Sequence, residues 1–278
     1  LEQAGKRTIV DVGSDNSNGL AEGVVVDTTA PIITSFSAID SAPYVLEDII
    51  YIRAHLSEVV DLDFSAGRPV LELSNGGRAS YVSGAGSKGL LFKYVVSDAE
   101  TDAADLGVAA FDLNGARALD LAGNSIDGAI STANDLSTSH NVQIDTTAPE
   151  LTIVRLVEDT GTVTDVVNDG YYKAGTTLAF DVDFDDVVRV DTTDGSPQLT
   201  LSNGQTAQYV GGSESATLRF EYTVAQTDIN TRSLKVVGLS EQGSVITDHA
   251  GNNALVEITD NKLQYNTAVI DTKEITVS

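Results

Sequence analysis

Oxygen-bearing side chains at regular spacing are the residues of this chain best suited to chemistry. Asp-Thr-Thr-Ala-Pro occurs at 27–31 and again at 145–149, and Asp-x-Ala-Gly-Asn occurs at 120–124 and again at 248–252. Carboxylate, amide and carbonyl oxygens are the ligands of calcium, which takes about six to eight of them. Carboxylates gathered without a counterion repel one another. The pattern therefore predicts calcium as the cofactor.

The candidate metal ligands share positions at the entry of a repeated unit, after a strand, or in a turn between strands. They are Asp27, Glu58, Asp98, Asp102, Asp105, Asp120, Asn124, Asp145, Asp186, Asp248, Asn252 and Asp271. Asp and Asn also populate the turns and solvated loop tips of acidic proteins. Both interpretations stay open for each residue.

Enzymatic chemistry has little support in the sequence. His55 is predicted to point outward on a strand, His140 lies in a Ser-Thr-rich loop and His249 lies beside a turn, so no two histidines are placed for catalysis. The absence of cysteine removes thiol chemistry. We expect a protein that is not an enzyme. A module that binds a glycan, a protein or another surface is the alternative, with Tyr51, Tyr171 and Tyr172 as possible contacts.

The chain is a tandem repeat. The segment 67–76 (GRPVLELSNG) recurs as 195–204 (GSPQLTLSNG), an offset of 195 − 67 = 128 positions. The Asp-Thr-Thr-Ala-Pro signature recurs after only 145 − 27 = 118 positions, so the second copy has gained 128 − 118 = 10 residues, which we place between 158 and 170. Duplicated units typically supply length, valency or stiffness.

The repeat predicts the domain organisation. Residues 27–144 form the first unit and 145–270 the second. Residues 1–26 are either the last strand of a preceding unit or a strand that completes the first unit. Residues 271–278, which begin Asp-Thr-Lys, start a following unit.

Composition limits the partners. Of 278 residues, 41% are hydrophobic, enough for each unit to bury its own core, and the net charge is −25 with a pI near 4.1. This charge opposes binding to nucleic acid or to an anionic membrane and favours cations. Without cysteine, stiffness must come from packing or from bound metal. We find no apolar run of about 18 residues.

Hydrophobic alternation predicts strands throughout. Residues 178–184 and 218–224 alternate apolar and polar side chains, as does 50–56, and no segment has a helical stripe. Seven short strands per unit, separated by turn residues, indicate an all-β chain of tandem immunoglobulin-like β-sandwiches joined end to end. In the first unit the strands are predicted to begin near Ile32, Ile49, Val70, Ala79, Leu90, Val108 and Val142.

The direction of successive strands places the acidic loops. At the bottom of the first unit it places Asp27, Glu58, Asp120 and Asn124. At its top it places Asp98, Asp102 and Asp105, together with Asp40, Glu47 and Asp48. At the bottom of the second unit it places Asp145, Asp185, Asp186, Asp248 and Asn252. Calcium is therefore expected at the junctions between units. The linker is short, and the proline that follows it fixes φ and makes it partly stiff.

These elements in order carry a resemblance to a known family: the Asp-Thr-Thr-Ala-Pro entries, Leu56-Ser57-Glu58 closing the second strand, the segment 81–87, the loop 98–105 and the turn 120–124. The chain resembles the immunoglobulin-like extender repeats of giant secreted, calcium-dependent bacterial adhesins of the RTX type. The resemblance implies a spacer that holds a distal binding domain away from the cell surface, with calcium at the linkers limiting bending. It supports Asp27, Glu58, Asp120, Asp145, Asp186 and Asp248 as ligands.

The resemblance also implies localisation and partners. It implies a secreted or cell-surface bacterial protein without membrane insertion, a monomer whose partners are neighbouring repeats, and a distal ligand held by other domains. The second unit departs from the pattern at Asp186, which replaces a glutamate, in the shortened loop 226–230 and at Lys273. We therefore expect a weaker second calcium site, unless Asp159, Asp165 and Asp169 of the inserted loop compensate.

Overall fold

A computed structural model describes residues 8–10, 24–38, 43–157, 171–264 and 268–270. The chain divides into two compact units, Leu1–Thr146 and Thr147–Ser278. The fold is all-β, and within the described ranges helical geometry is limited to 3₁₀ turns at Leu136–Thr138 and Asp260–Lys262. No helix in those ranges is long and apolar enough to span a membrane. The predictions for Asp40, Asp159, Asp165, Asp169, Asp271 and Lys273 fall outside the described residues.

The first unit is built on one curled antiparallel sheet. A short pair, β1 (Thr8–Val10) and β2 (Val24–Val26), precedes it. The sheet strands are β3 (Ile33–Ser37), β4 (Ile49–Asp63), β5 (Val70–Leu73), β6 (Arg78–Ser83), β7 (Ser87–Val95), β8 (Val108–Asp112) and β9 (Arg117–Leu119). Their order is β3-β4-β7-β6-β5-β8, and β9 pairs with the far half of β4.

Strand β4 is long because it serves two pairings. Its first half pairs with β3 and β7, and its second half pairs with β9. Between them is a bulge, since the partner of His55 is Gly89 but the partner of Val60 is Ser87. A bulge bends a strand and increases its twist, which lets one strand pass from one layer of a sandwich to the other.

This arrangement corrects two strand predictions. Ser57-Glu58 was expected to close the second strand, but β4 continues through it to Asp63, so Glu58 lies on the bulge. The strand expected near Val142 forms only isolated bridges, in which Ile144 pairs with Tyr44 in parallel and with Ala103 in antiparallel fashion. The pleat of β4 alternates buried and exposed side chains as predicted, with Ile50, Ile52 and Ala54 buried.

The second unit repeats this frame. Its strands are β10 (Leu151–Val157), β11 (Tyr171–Tyr172), β12 (Thr177–Asp191), β13 (Gln198–Leu201), β14 (Thr206–Gly211), β15 (Ser215–Thr223), β16 (Thr231–Leu234), β17 (Val236–Ser240), β18 (Val245–Thr247), β19 (Leu263–Gln264) and β20 (Ala268–Ile270). The main sheet has the order β17-β13-β14-β15-β12-β10-β19 with β18 on β12, and β11-β20-β16 form a second sheet. The β12 bulge repeats that of β4, because Asp183 pairs with Thr217 and Val188 with Ser215.

Each unit has its own core with a tyrosine at one end. The rings of Phe92 and Phe220 are fully buried in the two cores. Tyr94 accepts a hydrogen bond from Asn75 at 3.0 Å, and Tyr222 accepts one from Asn203 at 3.1 Å. Burial, and then the hydrogen bond that the Tyr222 hydroxyl donates to Asp228, raise the pKa of Tyr222 to about 12. A buried polar group needs such partners, so the contact with Asp228 fixes where the loop after β15 lies.

A glycine closes the turn beside the bulge in both units. Gly84 and Gly212 have φ values of +114° and +104°. A Cβ atom on either residue would lie 2.1 Å from a backbone oxygen, that of Gly89 or of Thr217. Replacement therefore adds a steric clash to backbone strain.

We expect Gly212→Ala to lower the free energy of unfolding of the second unit by roughly 2–3 kcal/mol, measured by denaturant unfolding. Gly211→Ala is the matched control, because nothing lies within 4 Å of a Cβ at that position. Equal stability of the two variants would contradict the assigned turn geometry.

Candidate metal centre

Three carboxylates meet at one end of the first unit. Asp27 follows β2, Glu58 lies on the β4 bulge and Asp120 follows β9. One oxygen from each lies within 4.8 Å of the other two. Asp27 is exposed, Glu58 half-buried and Asp120 only 7% exposed. We call these residues the carboxylate trio.

Asp120 is held by its own turn. Its Oδ1 accepts hydrogen bonds from the backbone N–H groups of Ala122 and Asn124, both at 2.8 Å, and its Oδ2 accepts one from Asn124 Nδ2 at 2.8 Å. Burial would raise the pKa of Asp120, but the hydrogen bonds from Asn124, Ala122 and Gly123 together outweigh it and lower that pKa. Asp120 is therefore a fixed anion.

Asn124 connects this turn to the entry segment. Its Nδ2 also donates to the backbone oxygen of Asp27 at 3.2 Å. Asp27 in turn accepts a hydrogen bond from the N–H of Thr29 at 2.9 Å through Oδ1. The amide group of Asn124 thus acts as a donor that positions two members of the trio.

Glu58 is the electrostatically unfavourable member. Desolvation raises its pKa above the ordinary value of 4.5, the negative charges of Asp120 and Asp27 raise it further, and Lys88 lowers it. Lys88 extends to this end of the unit, where its Nζ donates to the Ser57 backbone oxygen at 2.9 Å. A divalent cation among these oxygens would relieve the repulsion and suit their hard character. The donor set fits calcium, with backbone oxygens or water completing the shell.

The predicted ligands of the loop after β7 do not gather in this way. Asp102 accepts hydrogen bonds from Thr146 N at 2.8 Å and from Thr146 Oγ1 at 2.7 Å, which fasten the end of the first unit. Asp98 and Asp105 are exposed. The Asp145 N–H donates to the Tyr44 oxygen at 3.0 Å. Among the described residues of the first unit, the trio is the one group of three acidic or histidine side chains with this geometry.

The second unit repeats the aspartate turn. Asp248 is 2% exposed. Its Oδ1 accepts from Gly251 N at 2.6 Å and Asn252 N at 2.8 Å, and its Oδ2 from Asn252 Nδ2 at 2.8 Å. Asp186, at the position of Glu58, is exposed and accepts a hydrogen bond from Val187 N at 2.6 Å. The turn is therefore part of the repeated frame, and it forms in a unit that holds no such trio among its own described residues.

Sequence reasoning missed two features of the site. It treated Asp120 and Asp248 only as ligands, although Asp-x-Ala-Gly-Asn is an Asx-type turn whose backbone donors engage the carboxylate. It also missed Lys88. Alignment of the repeats contains a signal, because Ala216 occupies the equivalent position 88 + 128 = 216 in the second unit.

Comparisons with known proteins show little similarity. No family model matches the chain, and no curated protein matches its sequence. A solved structure titled "Streptococcus agalactiae AgI/II polypeptide BspA C terminal domain (WT)" has 13% identity and a TM-score of 0.23, and the match covers 87% of this chain and 100% of that one. A likeness at this score carries no argument about fold or function. The resemblance to adhesin extender repeats stays a prediction.

The raised pKa of Glu58 predicts how the stability of the first unit depends on pH. A carboxyl whose pKa is higher in the folded chain contributes stability that is complete below its unfolded pKa and is lost as pH rises through its folded pKa. In chelator at neutral pH, Glu58→Gln should therefore raise the melting temperature of the first unit by about 1–2 °C. The gain should vanish below pH 4, as measured by calorimetric scans across pH.

Glu72→Gln is the control, because Glu72 is a carboxylate of the same unit that faces Arg78 at 3.7 Å instead of other acids. This change should not raise the melting temperature. A lower melting temperature for Glu58→Gln in chelator would contradict this prediction. It would show that the Glu58 carboxylate stabilises the first unit through protein contacts, without a bound cation.

Proposed function

We propose that this chain is a spacer segment of a larger bacterial cell-surface or secreted adhesin, stiffened by calcium at the ends of its repeated units. The carboxylate trio carries the proposal. Asp27 belongs to the entry segment, whereas Glu58 and Asp120 belong to the body of the sandwich. A cation held by all three would tie the entry segment to the unit that follows it.

The surrounding contacts support this role. Pro31 ends the entry signature, and its oxygen accepts a hydrogen bond from Asp127 N at 2.8 Å, while the Pro149 oxygen accepts one from Leu255 N at 2.8 Å. Proline also fixes φ at the start of each first strand. The chain between Asp27 and β3 is therefore short and constrained at its far end. Cation binding at Asp27 would restrict most of its remaining freedom.

The duplicated frame supports a role based on length. Both units have the same strand order around the bulged strand, the same buried tyrosine contacts and the same aspartate turn. Such repeats add extent without adding a new pocket. By sequence equivalence we extend the proposal to Asp145, Asp186 and Asp248, with neighbouring repeats as partners and the distal ligand held by other domains. The unit itself would act as a monomer and not as an enzyme.

The ligand count suggests modest affinity. Three carboxylates at a partly exposed site resemble extracellular calcium modules, which bind at about 10⁻⁴ to 10⁻³ M. Such a site would be empty at cytosolic calcium and filled outside the cell. Stiffening would then follow export.

We expect calcium at about ten times its dissociation constant to stabilise the first unit by about 1.4 kcal/mol, seen as a rise of a few degrees in calorimetric scans against chelator. Asp27→Asn should abolish that rise. Small-angle scattering should show a longer, less flexible particle in calcium than in chelator, and Asp145→Ala should reduce this difference.

Glu257→Gln serves as the matched control, because it removes one exposed carboxylate far from the trio in sequence. It should keep the full calcium response. A melting temperature and a scattering profile that do not change with calcium would exclude the spacer mechanism. A calcium response retained by Asp27→Asn would place the cation elsewhere.

A further inference from the structure

One outer sheet surface of the first unit differs from the rest of this acidic chain. Strands β4 and β7 pair there with Ile49 opposite Val95, Tyr51 opposite Lys93 and Arg53 opposite Leu91. The alternate residues on both strands face the core. We call the outward set the cationic face, and it comprises Ile49, Tyr51, Arg53, Leu91, Lys93 and Val95.

Besides its two cations, the cationic face presents apolar side chains that are exposed to solvent. Ile49, Tyr51 and Val95 are 44%, 47% and 46% exposed. Contiguous apolar side chains on the surface of a soluble unit typically mark an interaction site. The tyrosine is positioned directly beside Lys93, since directly opposed residues have Cβ atoms about 4.5–5.5 Å apart.

The charge of this surface is opposite to that of the protein. The segments 33–37, 49–55 and 87–95 contain Arg53, Lys88 and Lys93 but no Asp or Glu, in a chain with 41 acidic and 16 basic residues. Among the described residues, no carboxylate lies within 4.0 Å of the Arg53 or Lys93 nitrogens, whereas Arg78 on the neighbouring strand faces Glu72 and Asp112 at 3.7 and 3.6 Å. Arg53 and Lys93 are cations available to an external anion.

The second unit shows that the fold does not require this surface. Its equivalent residues, 128 positions later, are Thr177, Ala179, Asp181, Arg219, Glu221 and Thr223. There Arg219 donates to both oxygens of Asp181, at 2.8 and 3.0 Å, and the Thr177 and Thr223 hydroxyls lie 3.0 Å apart. Ala179 and Asp181 are 1% and 4% exposed. The same frame thus carries an internal ion pair in the second unit, whereas Ile49, Tyr51 and Val95 are exposed in the first.

The position of the cationic face within the sheet limits its partner. Both strands are interior to the sheet, flanked by β3 and β6, so no free backbone edge is available for strand addition. A peptide lying across the face would lose water from its amide groups without gaining backbone partners. A sugar polymer has no such amide backbone and presents apolar C–H faces to an aromatic ring.

We infer that the cationic face binds an acidic polysaccharide, with uronate carboxylates paired to Arg53 and Lys93 and a sugar ring stacked on Tyr51. Charge complementarity to these two cations selects an anionic polymer, and the exposed tyrosine between aliphatic side chains supplies the stacking surface. This binding function is separate from the spacer role and needs no cation.

The test uses the full chain and hyaluronan oligosaccharides, which carry a uronate in every disaccharide, with affinity measured by calorimetry in chelator and in calcium. Arg53→Asp and Lys93→Glu introduce the residues of the second unit. Each should weaken binding by about tenfold or more, and Tyr51→Ala should weaken it at unchanged charge. Binding should also fall with added salt.

Lys235→Glu is the matched charge reversal, since Lys235 is an exposed lysine of the second unit whose nearest carboxylate is 3.9 Å away. It should leave binding unchanged, and thermal melts should confirm that every variant folds. Failure of hyaluronan to bind, equal binding by all variants, or binding seen only in calcium would overturn the proposal.

Two further probes distinguish other partners. Polyglutamate of matched charge should bind more weakly than hyaluronan, and equal or tighter binding would identify an acidic polypeptide instead. Sedimentation of the chain alone should show a monomer. Self-association that is lost in Lys93→Glu is not expected. Such association would assign the cationic face to a second copy.

Discussion

The bulge in the long strand of each unit is the constraint on which the rest depends. It lets β4 pair with β3 and β7 before residues 57–59 and, beyond them, with β9 as well as with Ser87 of β7. Without this change of register, one strand could not serve both layers, and the strand that leads into Asp120 would have no partner. The bulge also places Glu58, which has no regular partner in the ladder, at the end where Asp27 and Asp120 lie.

The carboxylate trio is asymmetric in its energetics. The Asp120 charge is offset by donors of its own turn, which lower its pKa despite burial. Glu58 has no comparable set of donors, so desolvation and the two neighbouring anions raise its pKa. Asp120 is therefore a prepared anion, whereas Glu58 is disfavoured as an anion. A bound cation would favour the ionised form of Glu58 most strongly. This effect would appear as a larger free energy of unfolding of the first unit.

The sequence was sufficient for the all-β class, the repeat and the alternation of residues 50–56, because each depends on local periodicity. It placed Glu58 near Asp27 and Asp120 for a partly wrong reason, since the assumed end of the second strand is a bulge within it. A bulge is set by pairing between distant strands and leaves no periodic signal. The closing segment near Val142 was also predicted as a regular strand, but Ile144 is held by single bridges to Tyr44 and Ala103. Tertiary contacts decide those cases.

The two units act as a comparison within one molecule. Features found in both units are explained by the requirements of the shared fold. Examples are the turns at Asp120 and Asp248 and the glycines Gly84 and Gly212. Differences on equivalent strands cannot be explained in that way. The second unit pairs a buried Asp181 with Arg219, whereas the first exposes Tyr51 beside Arg53 and Lys93, which face no carboxylate among the described residues. Because one frame tolerates both surfaces, the open one is best explained by what it contacts outside the unit.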